Sequence, residues 1–225
     1  MINYRFDKYK TMILILVILS FMLTVNVEAY VETGNLSDKN YTINYPIVNI
    51  DNNKIAQNKI NNDISHYVNR FKKDYYIGEF VNGTFKYKVK FENEQYISLM
   101  IIDNRYISFG AAHSMSCATC VTYDKTTGDK VPLSFFVRLV PADLAAIMAL
   151  PVYDENNRIL PYNENTKTDY LKSGHAEISS NYYLEDNGAI ALVYQPYQLA
   201  SYSHGVTHIS LNSNAIDYFN RKNHQ

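Results

Sequence analysis

The sequence predicts an α+β fold: antiparallel sheets with packed helices, in two halves that form one compact unit. Two observations carry this. Apolar and lysine side chains alternate strictly in Phe85-Lys-Tyr-Lys-Val-Lys-Phe91, and two further apolar runs follow after short polar turns, which is the pattern of an antiparallel meander. Strands and helical periods are also segregated along the chain rather than alternating as βαβ units. At 225 residues the chain is long enough for one large domain or two small ones packed together.

Residues 1–29 read as a signal peptide. Arg5, Lys8 and Lys10 precede an apolar run from Met12 to Val25, and Val27-Glu28-Ala29 places small residues at −3 and −1 of a cut before Tyr30. The run falls short of the roughly 20 residues of a comfortable membrane span. An uncleaved N-terminal anchor is the alternative, and only in that case is a membrane expected as a partner. The expected location is exported, periplasmic or secreted. Polar residues 30–40 then read as a flexible leader.

The N-terminal half is expected over 41–130. Thr42 to Ile50 reads as a strand, with Pro46 arguing for an edge because it lacks an N–H. Asp51 is a candidate cap for a helix whose apolar residues Ile60, Ile64, Val68 and Phe71 recur at helical spacing, ending near Lys73. After the lysine-studded strand, Glu92 to Gln95 turns the chain into Tyr96 to Ile102. Asp103-Asn104 turns it again into Arg105 to Phe109. A strand over Cys120 to Tyr123 precedes the Thr127-Gly128 turn.

The C-terminal half, 131–225, opens with two expected helices, Leu133 to Leu139 and Pro141 to Leu150, the latter with proline at a tolerated first position. A short helix is expected near Thr166 to Lys172. Asp186-Asn187-Gly188 marks a hairpin between Tyr182 to Leu184 and Ala189 to Tyr194. Val206 to Leu211 alternates like a last strand, and Ser213 is a candidate cap for a terminal helix to Phe219.

Charge narrows the function. The chain has 21 basic and 22 acidic side chains with no basic stripe, so no nucleic acid is expected as partner. It has 21 tyrosines and no tryptophan; most tyrosines suit a wet sheet face, and some suit a binding surface. Neither a Gly-x-Ser-x-Gly elbow, a His-Glu-x-x-His pair, a phosphate loop nor a dinucleotide fingerprint occurs, and no cofactor is expected.

Two stretches carry a family resemblance. Tyr106-Ile-Ser-Phe-Gly-Ala-Ala-His113 is followed by Thr122-Tyr-Asp-Lys-Thr-Thr-Gly128 and Leu133-Ser-Phe-Phe136. Further on, Gly188 opens a strand leading to Gln195-Pro-Tyr-Gln-Leu-Ala-Ser-Tyr-Ser-His-Gly205. Together they resemble a bacterial extracytoplasmic domain family that reads Gly-Gly-Ala-His, Tyr-Asp-x-x-Thr-Gly-Lys, Leu-Ser-Asp-Leu-Phe, and then Pro-Tyr-x-Ile-Ala-x-Tyr-x-x-Gly. That family includes the outer, lysozyme-binding domain of RsiV-type anti-sigma factors and the non-catalytic N-terminal part of some peptidoglycan deacetylases. The resemblance implies an exported, non-catalytic binding module whose partner is a lysozyme-like protein or a cell-wall glycan such as peptidoglycan. Ala111 stands where the family has its second glycine, which puts in question any contact there that needs a positive φ.

The candidate binding residues are His113, Ser114, Pro196, Tyr197, Tyr202, Ser203 and His204. For His113 the reading as a hydrogen-bonded structural histidine comes before those as ligand or base, since no partnered acid is visible. Rings and hydroxyls on the Pro196 to Gly205 connection suit recognition, with Tyr202 and Ser203 expected to be exposed and Leu199 and Ala200 to be core. Cys117 and Cys120 form Cys-x-x-Cys outside the family pattern. A disulfide is the expected state after export; a metal site would need a fourth ligand from His175, His204 or a carboxylate, and a thioredoxin-like pair would want a helix N-terminus. No metal is expected. The alternative function is an exported cell-wall hydrolase using His113 with the Cys117/Cys120 pair.

Overall fold

A computed structural model describes residues 29–162 and 166–224; the expected signal segment lies outside them, apart from Ala29. The polar leader is in fact a strand. Residues Ala29–Asp38 (β1) pair antiparallel with Tyr41–Ile50 (β2) over their whole length, Ala29 opposite Ile50 and Asp38 opposite Tyr41. Its lack of apolar alternation reflects exposure on an edge, not absence of structure. Gly34 lies opposite Tyr45, whose ring takes the space a Cβ would fill, at 2.3–2.7 Å.

A helix of 23 residues, Lys54–Tyr76 (α1), follows. Its cap is Asn53, not Asp51: the Asn53 side chain accepts from Ala56 N at 3.2 Å, while Asn52 sits in the left-handed region at φ 59°, so the helix starts two residues later. Ala56, Ile60, Ile64, Val68 and Phe71 form its buried stripe. The helix outlasts Lys73 because Tyr75 and Tyr76 still pack, Tyr75 edge-on against Tyr41 at 4.9 Å between centroids.

Asn82–Glu92 (β3), Tyr96–Tyr106 (β4) and Met115–Asp124 (β5) complete a sheet of order β1-β2-β3-β4-β5. The expected antiparallel pattern holds except between β2 and β3, which run parallel through Tyr41–Ile43 because α1 carries the chain back across. Pro46 falls beyond that short pairing, so β2 is locally an edge there. Val48 and Ile50, of the same parity, give their N–H groups to Asn61 and Gln57 of α1. The strict alternation of β3 breaks at a bulge between Val89 and Phe91, after which Phe91 packs with the C-terminal core.

The expected turn at Asp103-Asn104 does not form. β4 runs through it, because Arg105 clasps Asp103 at 2.5 and 2.7 Å and Asp74 of α1 at 2.8 Å, over the faces of Phe71 and Phe80. The sequence Gly110 to His113 therefore lies in the β4–β5 loop, and both cysteines lie within β5.

The expected helix from Leu133 shrinks to a 3-10 turn, Leu133–Phe135. Beyond it the backbone of Phe136 and Arg138 bonds to side chains of Asn220 and Asn223 instead of continuing a helix. Pro141–Asp143 is a second 3-10 turn leading into Leu144–Met148 (α2), and Lys167–Lys172 forms α3. Tyr182–Leu184 (β6), Ile190–Tyr194 (β7) and Thr207–Leu211 (β8) make a three-stranded antiparallel sheet. The Asn187-Gly188 turn joins β6 to β7, with Glu185 N donating to Ala189 O at 2.9 Å. Ser213–Lys222 (α4) is capped by Asn212 rather than Ser213.

The layers are α1, the five-stranded sheet, the three-stranded sheet, and the short helices with α4. Met100 and Ala118 meet Tyr183, Ala191, Val193 and Val206 between the sheets. Leu184, Ile190, Leu192 and Ile209 meet Ile147 and Phe219 beyond the second. Side-chain amides lock the halves together along the outer edge of β5. Gln195 bonds both N and O of Ala118 at 2.8 Å, and Asn181 accepts from Cys120 N at 2.6 Å while donating to Ala118 O at 2.9 Å.

Candidate functional site

Four of the seven sequence-nominated residues come together from two distant segments. The β4–β5 loop supplies His113 and Ser114, and the β7–β8 connection supplies Tyr197 and Tyr202. The His113 ring stacks on Tyr202, centroids 4.1 Å apart and planes 25° from parallel. Tyr197 lies beside the pair, 5.5 Å from Tyr202 and 6.2 Å from His113 between centroids, and its hydroxyl is 3.1 Å from His113 Nε2.

Hydrogen-bond accounting fixes the protons. His113 Nδ1 is 2.9 Å from the Ser114 carbonyl, which only accepts, so Nδ1 carries the hydrogen. In the neutral ring Nε2 then accepts from the Tyr197 hydroxyl. Tyr202 donates to the same Ser114 carbonyl at 2.5 Å, so Ser114 Oγ at 3.1 Å donates to the Tyr202 oxygen. Ser116 on β5 lies 3.5 Å from that oxygen and gives its own hydrogen to Asn104 on β4. With both hydrogens placed elsewhere, Ser116 and Tyr202 touch without a hydrogen bond, and the network runs from the exposed Tyr197 through His113 and Ser114 to Tyr202. Ser116 and Asn104 were not nominated from the sequence; serine and asparagine in a strand carry no local signal of such a role.

Backbone strain marks the same place. Gln198 N donates to Gln195 O at 3.1 Å, with Pro196 second in the turn and Tyr197 third at φ 73°. This is the φ pattern of a type II turn, whose third position favours glycine. A bulky ring held there is 62% exposed, so core packing does not explain it. Gly205, at φ 66°, ends the 3-10 turn Tyr202–His204. At the other wall neither Gly110 nor Ala111 has a positive φ, so alanine costs nothing where the family has glycine.

The remaining nominated residues sit beside the cluster. Pro196 shapes the turn, and Ser203 is exposed and bonds Ser201 Oγ at 2.8 Å. His204 is half-buried in the 3-10 turn and takes part in a further contact. Tyr202 is half-buried rather than exposed, because its ring closes on His113. Leu199 and Ala200 are core. Ile107 and Phe109 (87% exposed) of the loop and Met115 at the start of β5 add exposed apolar surface beside the cluster.

No disulfide joins Cys117 and Cys120; both are free thiols. Three residues apart on one strand, they point to opposite faces, about 10 Å apart at Cα, beyond disulfide reach. Cys117 lies on the α1 side beside Asp103 and Arg70, whereas Cys120 faces the second sheet. Burial raises both thiols, Cys120 to about 12. Among the described residues no three His, Cys, Asp or Glu side chains are grouped to hold a metal ion.

A cavity of about 920 Å³ lies elsewhere. It runs beside β5, lined by Val131, Leu133, Leu139, Leu144, Ile178 and Tyr182 among others, and includes none of the nominated binding residues. No helix among the described residues is long and apolar enough to cross a membrane.

No family model matches the chain, and neither does any curated protein. Among solved structures it is similar to a DUF3298 family member from Bacteroides fragilis, with TM-score 0.54 and 16% identity over 86% of this chain and 93% of that one. A DUF3298 family protein from Pseudomonas aeruginosa gives TM-score 0.50 and 12% identity, covering 85% and 93%. At these identities the likeness is one of fold: the chain has the α+β architecture of those two bacterial proteins.

Proposed function

We infer that this chain is an exported, non-catalytic binding module that recognises a protein such as lysozyme, or a cell-wall glycan, through the His113–Tyr197–Tyr202 cluster. One observation carries the reading. Two sequence-distant segments converge on a stacked ring cluster, and its outermost ring, Tyr197, is held exposed on a backbone conformation that disfavours it. Exposed tyrosines on a rigid scaffold offer contact area with a polar tip, which suits protein and sugar surfaces alike. The neighbouring Ile107, Phe109 and Met115 extend that area.

The hydrolase alternative has less support. The hydrogen-bond partners of His113 are a carbonyl and a phenol rather than a carboxylate, and burial keeps the Cys120 thiol protonated. Export rests on the basic residues before Met12 and on the Val27-x-Ala29 site. A pull-down with lysozyme and with peptidoglycan, run beside a peptidoglycan hydrolysis assay, tests the reading. Retention of either partner without turnover is expected. Turnover that vanishes in His113→Ala would replace binding with catalysis.

A further inference from the structure

We propose that the free edge of β1 is a self-association surface, on which a second copy of this chain adds its own β1 antiparallel about a two-fold axis at Thr33. The two edges of the five-stranded sheet are treated differently. Along β5 the side chains of Asn181 and Gln195 and the backbone of Asp129 and Val131 take up outward groups of Ala118, Cys120, Thr122 and Asp124. Among the described residues β1 has no such cover. Since Val48 and Ile50 direct their N–H groups to α1, the odd residues of β1 in the paired register direct their backbone outward. These are Val31, Thr33, Asn35 and Ser37. Among the described residues only the Thr33 carbonyl meets a partner there, the side chain of Asn35 at 3.3 Å.

Such a row of alternating donors and acceptors is complementary to another strand edge. The usual protections are missing too: between Tyr30 and Ser37 there is no proline or lysine, and the one charge is Glu32. A two-fold at Thr33 sets Thr33 against its mate and Val31 against Asn35. It sets Glu32 against Gly34, so no like charges meet. The same register brings Tyr30 (53% exposed) against Leu36 (41% exposed) at both ends, covering two apolar side chains left exposed among the described residues. A two-fold at Asn35 would instead oppose Glu32 to Asp38. The axis at Thr33 is therefore the favoured one, and the pairing is isologous and closes as a dimer.

An interface of one strand pair is small, so a weak dimer is expected, seen by sedimentation velocity of the full chain between about 10 µM and 1 mM. Register is read by cross-linking in a Cys117→Ser background, which removes the exposed native thiol. Directly opposed residues of a hydrogen-bonded pair have Cα atoms about 5.5 Å apart, within disulfide reach, whereas Asn35 and its mate would be about 13 Å apart. Thr33→Cys should give a covalent dimer on mild oxidation and Asn35→Cys should not. Leu36→Lys should shift the sedimentation equilibrium toward monomer at unchanged melting temperature. A monomer at every concentration, or cross-linking through Asn35→Cys in place of Thr33→Cys, would overturn the proposal.

Discussion

Replacing Tyr197 by glycine should separate binding from stability. At φ 73° a side-chain-bearing residue costs about 1–2 kcal/mol that glycine does not incur. Against this stand three losses. The hydrogen bond to His113, at 3.1 Å, contributes about 0.5–1.5 kcal/mol. The part of the ring that is covered, with the residue 62% exposed, buries some 75 Å² and contributes about 2 kcal/mol. Glycine adds up to about 1 kcal/mol of unfolded-chain entropy. The losses exceed the gain, and the expected net loss is about 0.5–3.5 kcal/mol, a fall of roughly 1–14 °C in Tm for a chain of this size. Affinity for the partner, read by calorimetry or biolayer interferometry, should fall about thirtyfold or more if Tyr197 is the interface anchor. Tyr197→Asn, which tolerates the left-handed region, should behave alike. Unchanged affinity would refute the reasoning, and so would a Tm loss corresponding to more than about 4 kcal/mol.

Three other outcomes follow from groups outside the cluster. Burial, with Lys90 nearby, lowers the His208 pKa to about 4, so the fold holds the ring neutral while the unfolded chain titrates near 6.5. Stability should thus be full above about pH 6.5 and fall by about 3 kcal/mol as pH drops to 4, a slope that His208→Gln should flatten in urea titrations. Asp143, fully buried, accepts from Val140 N and Asn223 and pairs with Lys222; burial alone would raise its pKa, but these partners hold it below the usual range. Asp143→Ala should cost about 3 kcal/mol in denaturant unfolding, since Lys222, Val140 N and Asn223 lose their acceptor. Of the cysteines, Cys117 should react with a thiol reagent in the native state and Cys120 only after unfolding, with no mass change on reduction.

The sequence made the periodic elements legible and the long-range ones obscure. The α1 stripe from Ile60 to Phe71, the hairpin at Asn187-Gly188 and the short helix before Lys172 are local, and they form as read. β1 was hidden because an exposed edge strand needs no apolar alternation. The Asp103-Asn104 turn signal lost to a long-range ion pair with α1, and the helix from Leu133 lost to side chains of Asn220 and Asn223, which lie some eighty residues further on. For the site, composition singled out His113, Tyr197 and Tyr202 separately. Their meeting depends on how two loops cross the edge of β5, which no spacing within either loop encodes. Cys-x-x-Cys spacing suits a disulfide in a loop or helix, but along β5 it turns the two thiols to opposite faces.

The most direct test is to follow ring resonances of histidine and tyrosine while lysozyme, or soluble peptidoglycan fragments, is added to the labelled protein. The account expects shifts at His113, Tyr197 and Tyr202 that saturate with the binding isotherm, while Tyr182 in the cavity beside β5 and His208 between the sheets stay still. Shifts confined to Tyr182 and its cavity neighbours, with the His113 cluster unmoved, would contradict it.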